Sequence, residues 1–167
     1  MLETIFKRRS IRKYQDKEVS DQDIKTLLEA AMAAPSARNK QPWEFIVIKN
    51  KDIQNQIKSY SAAYNYNSPL LILVCGNKHR CNTDKVNDYF IQDGSAAIQN
   101  ILLAAVSLGL GTCWCGVNPI EERMEFISNI LGLEEHIIPL GIIHVGHPAE
   151  EKPAHTKYNE EYIKIIK

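Results

Sequence analysis

The chain has 167 residues, 44% apolar and 24% charged, with 20 basic and 20 acidic side chains and a formal net charge of zero. That length suits one domain with a core large enough to stand without staples. The even charge argues against nucleic acid or an anionic membrane surface as the main partner, because both call for a net basic face.

The chain opens on a short segment with one apolar face, Leu2, Ile5 and Phe6, and runs into Arg8-Arg9-Ser10-Ile11-Arg12. Three guanidiniums and a hydroxyl so close together match phosphate oxygens, which planar forks of donors bind two at a time. The same cluster suits a solvated helix end, where cations meet the carbonyl pole. On these residues alone the solvated end is favoured, since short basic clusters are common on surfaces.

Ser20 reads as an N-cap with Asp21 and Asp23 in the first turn. Ile24, Leu27, Leu28, Ala31 and Met32 then recur at threes and fours, predicting an amphipathic helix that stops before Pro35. The following Ala34-Pro35-Ser36-Ala37-Arg38-Asn39-Lys40-Gln41-Pro42-Trp43 is rich in amides and hydroxyls and bounded by prolines. A strand is predicted over Trp43–Ile48, a short helix around Ile53 and Ile57, a tyrosine-rich loop over Tyr60–Asn67, and a strand buried on both faces over Leu70–Cys75. From Asp88 to Leu108 the apolar positions fill nearly the whole helical circumference, which predicts a buried central helix closed by Gly109 and Gly111. Thr112–Val117 reads as a strand. Asn118 and Pro119 read as N-cap and first residue of a helix. Its inner face would be Ile120, Met124, Ile127 and Leu131, and Gly132 would end it. Leu140–Val145 is the last predicted strand, and the chain beyond Pro148 is polar.

No internal repeat, low-complexity tract or linker interrupts this series, so one domain over 1–167 is expected. Charges at Glu3 and Lys7 argue against a signal peptide. The longest apolar run, 101–110, is about half of the ~20 residues a membrane span requires. Cys75, Cys113 and Cys115 lie in apolar strand-like runs, where a thiol packs as a small hydrophobe. Cys113-x-Cys115 lacks the spacing and second half of a zinc knuckle, and His79, His136, His144 and His147 fall at no metal-ligand spacing. Reduced cysteines in a cytoplasmic protein without a metal are expected.

Alternating strands and helices would by pattern alone suggest a doubly wound parallel sheet. Gly109-x-Gly111 does not support a dinucleotide turn, because it follows a helix and precedes a strand, the reverse of that order.

The basic turn, the Pro35–Trp43 segment and the tail Gly146-His147-Pro148-Ala149-Glu150-Glu151-Lys152-Pro153 stand in an order similar to another arrangement. The chain resembles, along nearly its whole length, the nitroreductase family of FMN-dependent oxidoreductases. That family carries an Arg-x-Ser-x-Arg/Lys turn near its N-terminus and a Pro-Ser-x-x-Asn-x-Gln-Pro-Trp segment. The resemblance implies an α+β, α/β-like three-layer fold: a mixed central sheet flanked by helices, in an intertwined homodimer with FMN at the interface.

The resemblance also implies roles. Arg8 and Ser10 would hold the phosphate, with Arg9 beside it or the ribityl chain. Arg12 would lie near the pyrimidine edge, where a cation stabilises the charge of reduced flavin; the alternative is a surface ion pair with Asp16 or Glu18. Pro35, Ser36, Ala37 and Asn39 would wall the flavin from the other subunit, and Gln41 would reach flavin or ribityl oxygens. Trp43 is expected to be core. Cys115 and Gly116 match the backbone donors to flavin N5 and O4, a role without the thiol, since Cys115 lacks a recognisable activator. His155 and Lys157 stand where the family has a Lys-x-Arg pair, so the phosphate site is weakened: lysine has no fork, and histidine is a cation only when protonated.

The implied activity is transfer of hydride from NAD(P)H to FMN and on to nitroaromatics, quinones or similar small acceptors by a ping-pong mechanism, with no protein acid or base. The chain lacks the helical excursion that longer members carry over the flavin, which implies an open acceptor site. The alternative is a flavin-binding module with little turnover, for storage, sensing or interaction.

Overall fold

The computed structural model describes residues 2–81 and 89–167. The expected start of the central helix at Asp88 lies outside the described residues. The helices are α1 (Leu2–Lys7), α2 (Asp21–Met32), α3 (Lys51–Ser59), α4 (Phe90–Ser107) and α5 (Glu121–Leu131). The strands are β1 (Trp43–Ile48), β2 (Leu70–Asn77), β3 (Gly111–Gly116) and β4 (Ile137–Gly146).

Local signals account for most of these. The Ser20 hydroxyl accepts the Asp23 N–H at 3.0 Å and starts α2. Asn50 does the same for α3 through Ile53 N–H at 3.0 Å. Gly132 closes α5 in the left-handed region at φ 61°, where a side chain is costly. Gly109, at φ 71°, ends α4. Gly111 does not help end that helix, because it is already the first residue of β3.

The strands lie in the order β1-β2-β4-β3, and all three pairings are antiparallel. The doubly wound pattern is therefore not the architecture. Among the described residues the one parallel link is the bridge between Ser10 and Thr112. Sheet alternation sorts the core into two layers. Ile72, Val74, Ile143 and Val145 face α2 and α4 with Ile98, Ile101 and Leu27. Leu71, Leu73, Cys75 and Ile142 face Ile57 of α3 and Ile127 of α5. Helices on both faces make the α+β three-layer arrangement that the resemblance implies. Trp43 is core, as expected.

Three details differ. Asn118 and Pro119 do not open a helix: Ile120 N–H bonds Val117 C=O at 3.1 Å, closing a turn, and α5 begins at Glu121 with Ile120 as cap. The Asn118 amide points instead at Met124 sulfur, 3.2 Å away. Met32 and Ile120, read as inner-face positions, are exposed, since each sits at an element's end where the layer stops.

After β4 the chain runs out along the surface. Tyr158, Tyr162, Ile163, Ile165 and Ile166 are exposed there, as are Leu2, Ile5 and Phe6 of α1. No helix among the described residues is long and apolar enough to cross a membrane.

Candidate functional site

The basic turn leaves α1 and docks on the edge of the sheet. Ile11 N–H donates to Thr112 C=O at 2.9 Å, and Ile11 itself is buried. Gly111 makes that approach feasible, since a β-carbon there would stand 2.8 Å from Ile11 Cγ2. The turn is then laced to the tail. Ala149 N–H donates to Lys13 C=O at 2.9 Å, and Lys152 Nζ donates to Ser10 C=O at 2.6 Å. Glu150 Oε1 accepts Arg12 N–H at 2.6 Å and pairs with Lys152 at 3.1 Å. The Arg12 N–H, first of all, holds the Glu150 carboxyl below the usual carboxylate range.

Arg12 forms no ion pair with Asp16 or Glu18 among the described residues. Its Nε donates to Tyr66 Oη at 3.2 Å, and its guanidinium lies 5.9 Å from the Tyr66 ring centroid. The bond to Tyr66 raises the guanidinium above its ordinary pKa.

The tail brings the predicted phosphate residues together. Arg9 donates to Pro153 C=O, and His155 N–H reaches Phe6 C=O at 3.3 Å. His155 Nδ1 is buried with no hydrogen-bond partner among the described residues. Burial first, then the charges of Arg9, Lys157 and Arg8, hold His155 below its usual pKa. An unpaired nitrogen facing concentrated positive charge fits an anion, and the donor set fits a phosphate group. The Ser10 hydroxyl has no partner among the described residues, whereas its carbonyl is bonded by Lys152.

The Pro35–Gln41 segment is a strained turn. Ser36 Oγ accepts Gln41 N–H at 2.9 Å, and Asp93, buried on α4, accepts Ala37 N–H at 2.9 Å. Arg38, Asn39 and Gln41 have φ of 53°, 53° and 49°, the left-handed region. Each such non-glycine residue costs of order 1 kcal/mol, and such strain concentrates at ligand sites. The bonds of Ser36, Ala37, Asn39 and Gln41 run within the turn and to Asp93, not to the basic turn. Among the described residues the two predicted groups of site residues share no hydrogen bond.

Gly116, exposed at the end of β3, accepts Tyr64 Oη at 2.7 Å and Arg123 Nη1 at 3.1 Å on its carbonyl. Because β3 is an edge strand, every second backbone N–H faces away from β4. Cys113 and Cys115 share one face of β3, opposite His144 and Ile142. Cys115, expected to serve through its backbone without an activator, is held above its ordinary pKa by the bond to Cys113 and by burial.

Sequence reasoning did not reach Tyr66, Glu150 or Lys152 as members of this site. Only the tyrosine richness of the 60–67 loop was a signal. His144 is buried, bonded to Ser68 Oγ at 2.8 Å and pushed by burial down to about 3. His79 and His136 stack at 3.8 Å. Among the described residues no three His, Cys, Asp or Glu side chains cluster as metal ligands.

Fold and site together define a three-layer α+β protein with a cationic bend docked at the edge of its sheet. The Nitroreductase family profile matches residues 5–65 and 59–147. The chain belongs to the nitroreductase family. A candidate NADH dehydrogenase/NAD(P)H nitroreductase of Methanothermobacter thermautotrophicus is 42% identical over 170 residues, spanning 100% of this chain and 87% of that protein. The solved structure of an FMN-dependent nitroreductase from Clostridium difficile R20291 superposes with a TM-score of 0.86 at 31% identity, covering 99% of this chain and 98% of that one. A candidate nitroreductase from Desulfovibrio desulfuricans, solved in complex with FMN, gives 0.83 at 29% identity, covering 99% and 96%.

Proposed function

We propose that this chain is an NAD(P)H-dependent oxidoreductase that holds FMN between the two subunits of a homodimer and passes electrons to nitroaromatics, quinones or similar small acceptors. The observation that carries this reading is the positive charge of Arg9, Lys157 and Arg8 acting on His155, whose Nδ1 has no hydrogen-bond partner among the described residues. Like charges gathered in this way attract an anion.

Arg8, Arg9, the free Ser10 hydroxyl, His155 and Lys157 would hold the phosphate. Arg12, aligned by Tyr66, would place its charge at the pyrimidine edge. Backbone donors at Cys115 and Gly116 would meet N5 and O4. Pro35, Ser36, Ala37, Asn39 and Gln41 would come from the other subunit, which gives their strained turn a purpose. Bound there, FMN would supply the hydride chemistry between NAD(P)H and the acceptor.

The dimer is supported by two features. Leu2, Ile5 and Phe6 expose an apolar face that a partner would cover. The two groups of site residues make a complete site only if brought together by a two-fold axis.

Purification followed by a visible spectrum and identification of the released chromophore tests the cofactor. A colourless protein that stays colourless after incubation with FMN refutes the reading. Stopped-flow bleaching by NADH and NADPH separates an enzyme from a flavin-storing module. Parallel double-reciprocal plots are expected for ping-pong turnover, and an open site predicts activity across a broad acceptor panel.

A further inference from the structure

We propose that Arg123 is the cation that recognises the electron acceptor, and that the preferred acceptors are nitroaromatics or quinones carrying a carboxylate. The inference rests on the FMN reading above and names the substrate class of that same site.

Arg123 is pinned at the exposed end of β3. The carbonyl of Gly116, last residue of that strand, accepts Arg123 Nη1 at 3.1 Å and Tyr64 Oη at 2.7 Å. The guanidinium also lies 5.8 Å from the Tyr64 ring centroid, a cation–π contact. Tyr64 is buried and packs edge-on against Tyr60, whose ring lies 4.7 Å from that of Phe126 on α5. Arg123 therefore stands on a packed aromatic base, which makes its charge a placed one.

One loop ties Arg123 to Arg12. Tyr66 holds Arg12, and Tyr64 lies against Arg123. Tyr66 N–H donates to Tyr64 C=O at 3.0 Å, and two residues of chain span at most about 7 Å. The two guanidiniums are thus presented side by side. In the FMN reading Arg12 meets the pyrimidine edge, and the backbone at Cys115 and Gly116 meets N5 and O4. Arg123, bonded to Gly116, then stands beside the edge from which the acceptor takes its electrons.

No acidic neighbour claims this charge. The residues three and four away in the chain are Pro119, Ile120, Phe126 and Ile127. Glu121 and Glu122 are one and two away, a spacing at which helical side chains do not face each other. Among the described residues no ion pair includes Arg123. A cation in the first turn of α5 also sits at the positive pole of that helix, where it does not stabilise it. Gly116 takes a single N–H of the guanidinium, and the planar fork has others to offer both oxygens of a carboxylate. The carboxylate is a handle and is unchanged by the reaction. At a nitro group, two electrons and two protons, drawn from NAD(P)H and one solvent proton, break one N–O bond; nitroso and water result.

The test uses the purified FMN-loaded protein, reduced with dithionite without oxygen and mixed in stopped flow with 4-nitrobenzoate or 4-nitrobenzamide. Each acceptor gives a rate constant for flavin reoxidation. The ratio of anion to amide should fall by about tenfold in Arg123→Gln, the factor expected for one charge-assisted bond partly open to water. Arg123→Lys, which keeps the charge, should recover part of that ratio. A ratio that stays where it was in Arg123→Gln, even with both rates lowered, reveals a residue that only holds Gly116 and overturns the proposal; so does a lysine variant no better than the glutamine one. Calorimetric titration of the oxidised protein with benzoate and benzamide reads the same contrast without turnover. Benzoate should bind wild type about tenfold more tightly than Arg123→Gln, a loss benzamide should not share, and equal benzoate affinity overturns the proposal. Failure of the FMN reading shows separately, as wild-type protein without flavin absorbance, and the benzoate titration then decides the Arg123 contact alone.

Discussion

The side chain of Arg12 is held by Tyr66, with Nε 3.2 Å from the phenolic oxygen and the guanidinium 5.9 Å from the ring centroid. The backbone of the same arginine is held by Glu150 at 2.6 Å. A long cation fixed at both ends can act as a placed charge rather than as a mobile one.

Tyr66→Phe removes one hydrogen bond and keeps the ring. A bond of this kind is worth about 1 kcal/mol. If half to all of that is expressed on reduced flavin, the two-electron potential falls by about 10–20 mV. Dye equilibration against wild type measures it, and Tyr66→Ala should lower it further. An unchanged potential in both variants would place Arg12 away from the isoalloxazine.

Glu150→Gln should loosen the tail from the basic turn. The folded carboxyl is held below its ordinary pKa. Its stabilising effect is therefore present above the unfolded value of about 4.3 and is lost as pH falls through the folded one. The variant should be less stable than wild type by about 1 kcal/mol at pH 7, a figure set by one charge-assisted bond partly open to water. The difference should shrink towards pH 3. Urea melts at both pH values check this.

His155 is the pH-dependent member of the phosphate cluster. Its pKa is lowered in the free protein, so it is neutral at pH 7, and that contribution to folding is fully present above the unfolded value of about 6.5 and lost as pH falls through the folded one. A bound phosphate raises that pKa, so binding takes up a proton and tightens as pH falls. FMN should bind wild type more tightly at pH 6 than at pH 8, by about threefold more than it does His155→Gln. Fluorescence titration of both proteins cancels the pH dependence of the phosphate itself.

Phe6→Asp puts a charge on the apolar face of α1, where Phe6 is 45% exposed in the single chain. The expected outcome by sedimentation velocity is a shift towards monomer with loss of bound flavin. A flavin-loaded monomer would refute the shared site.

Ile101→Ala opens a hole where α4 meets the sheet, at a fully buried position. A loss of about 2–5 kcal/mol is expected, read from the urea midpoint of flavin-stripped protein.

Much of this was legible in the chain itself. The Ser20 cap, the periodicity of α2, the continuous apolar run of β2 and the left-handed glycine after α5 are signals written within a few residues of where they act. The basic turn and the Pro35–Trp43 segment were legible for a related reason, since each is a contiguous motif. The start of α5 was misread because Asn118-Pro119 is equally good turn chemistry, and only the Val117–Ile120 bond decides between them.

What the sequence alone determined is which segments are helix, strand and loop, and which residue types carry the family's motif. Tertiary structure decided the rest: the antiparallel order β1-β2-β4-β3, the union of residues 8–12 with 150–157, and the holding of Arg12 by Tyr66. The reason is range. Propensity and periodicity are summed over neighbours in the chain, whereas strand pairing and the electric field at a side chain are summed over neighbours in space.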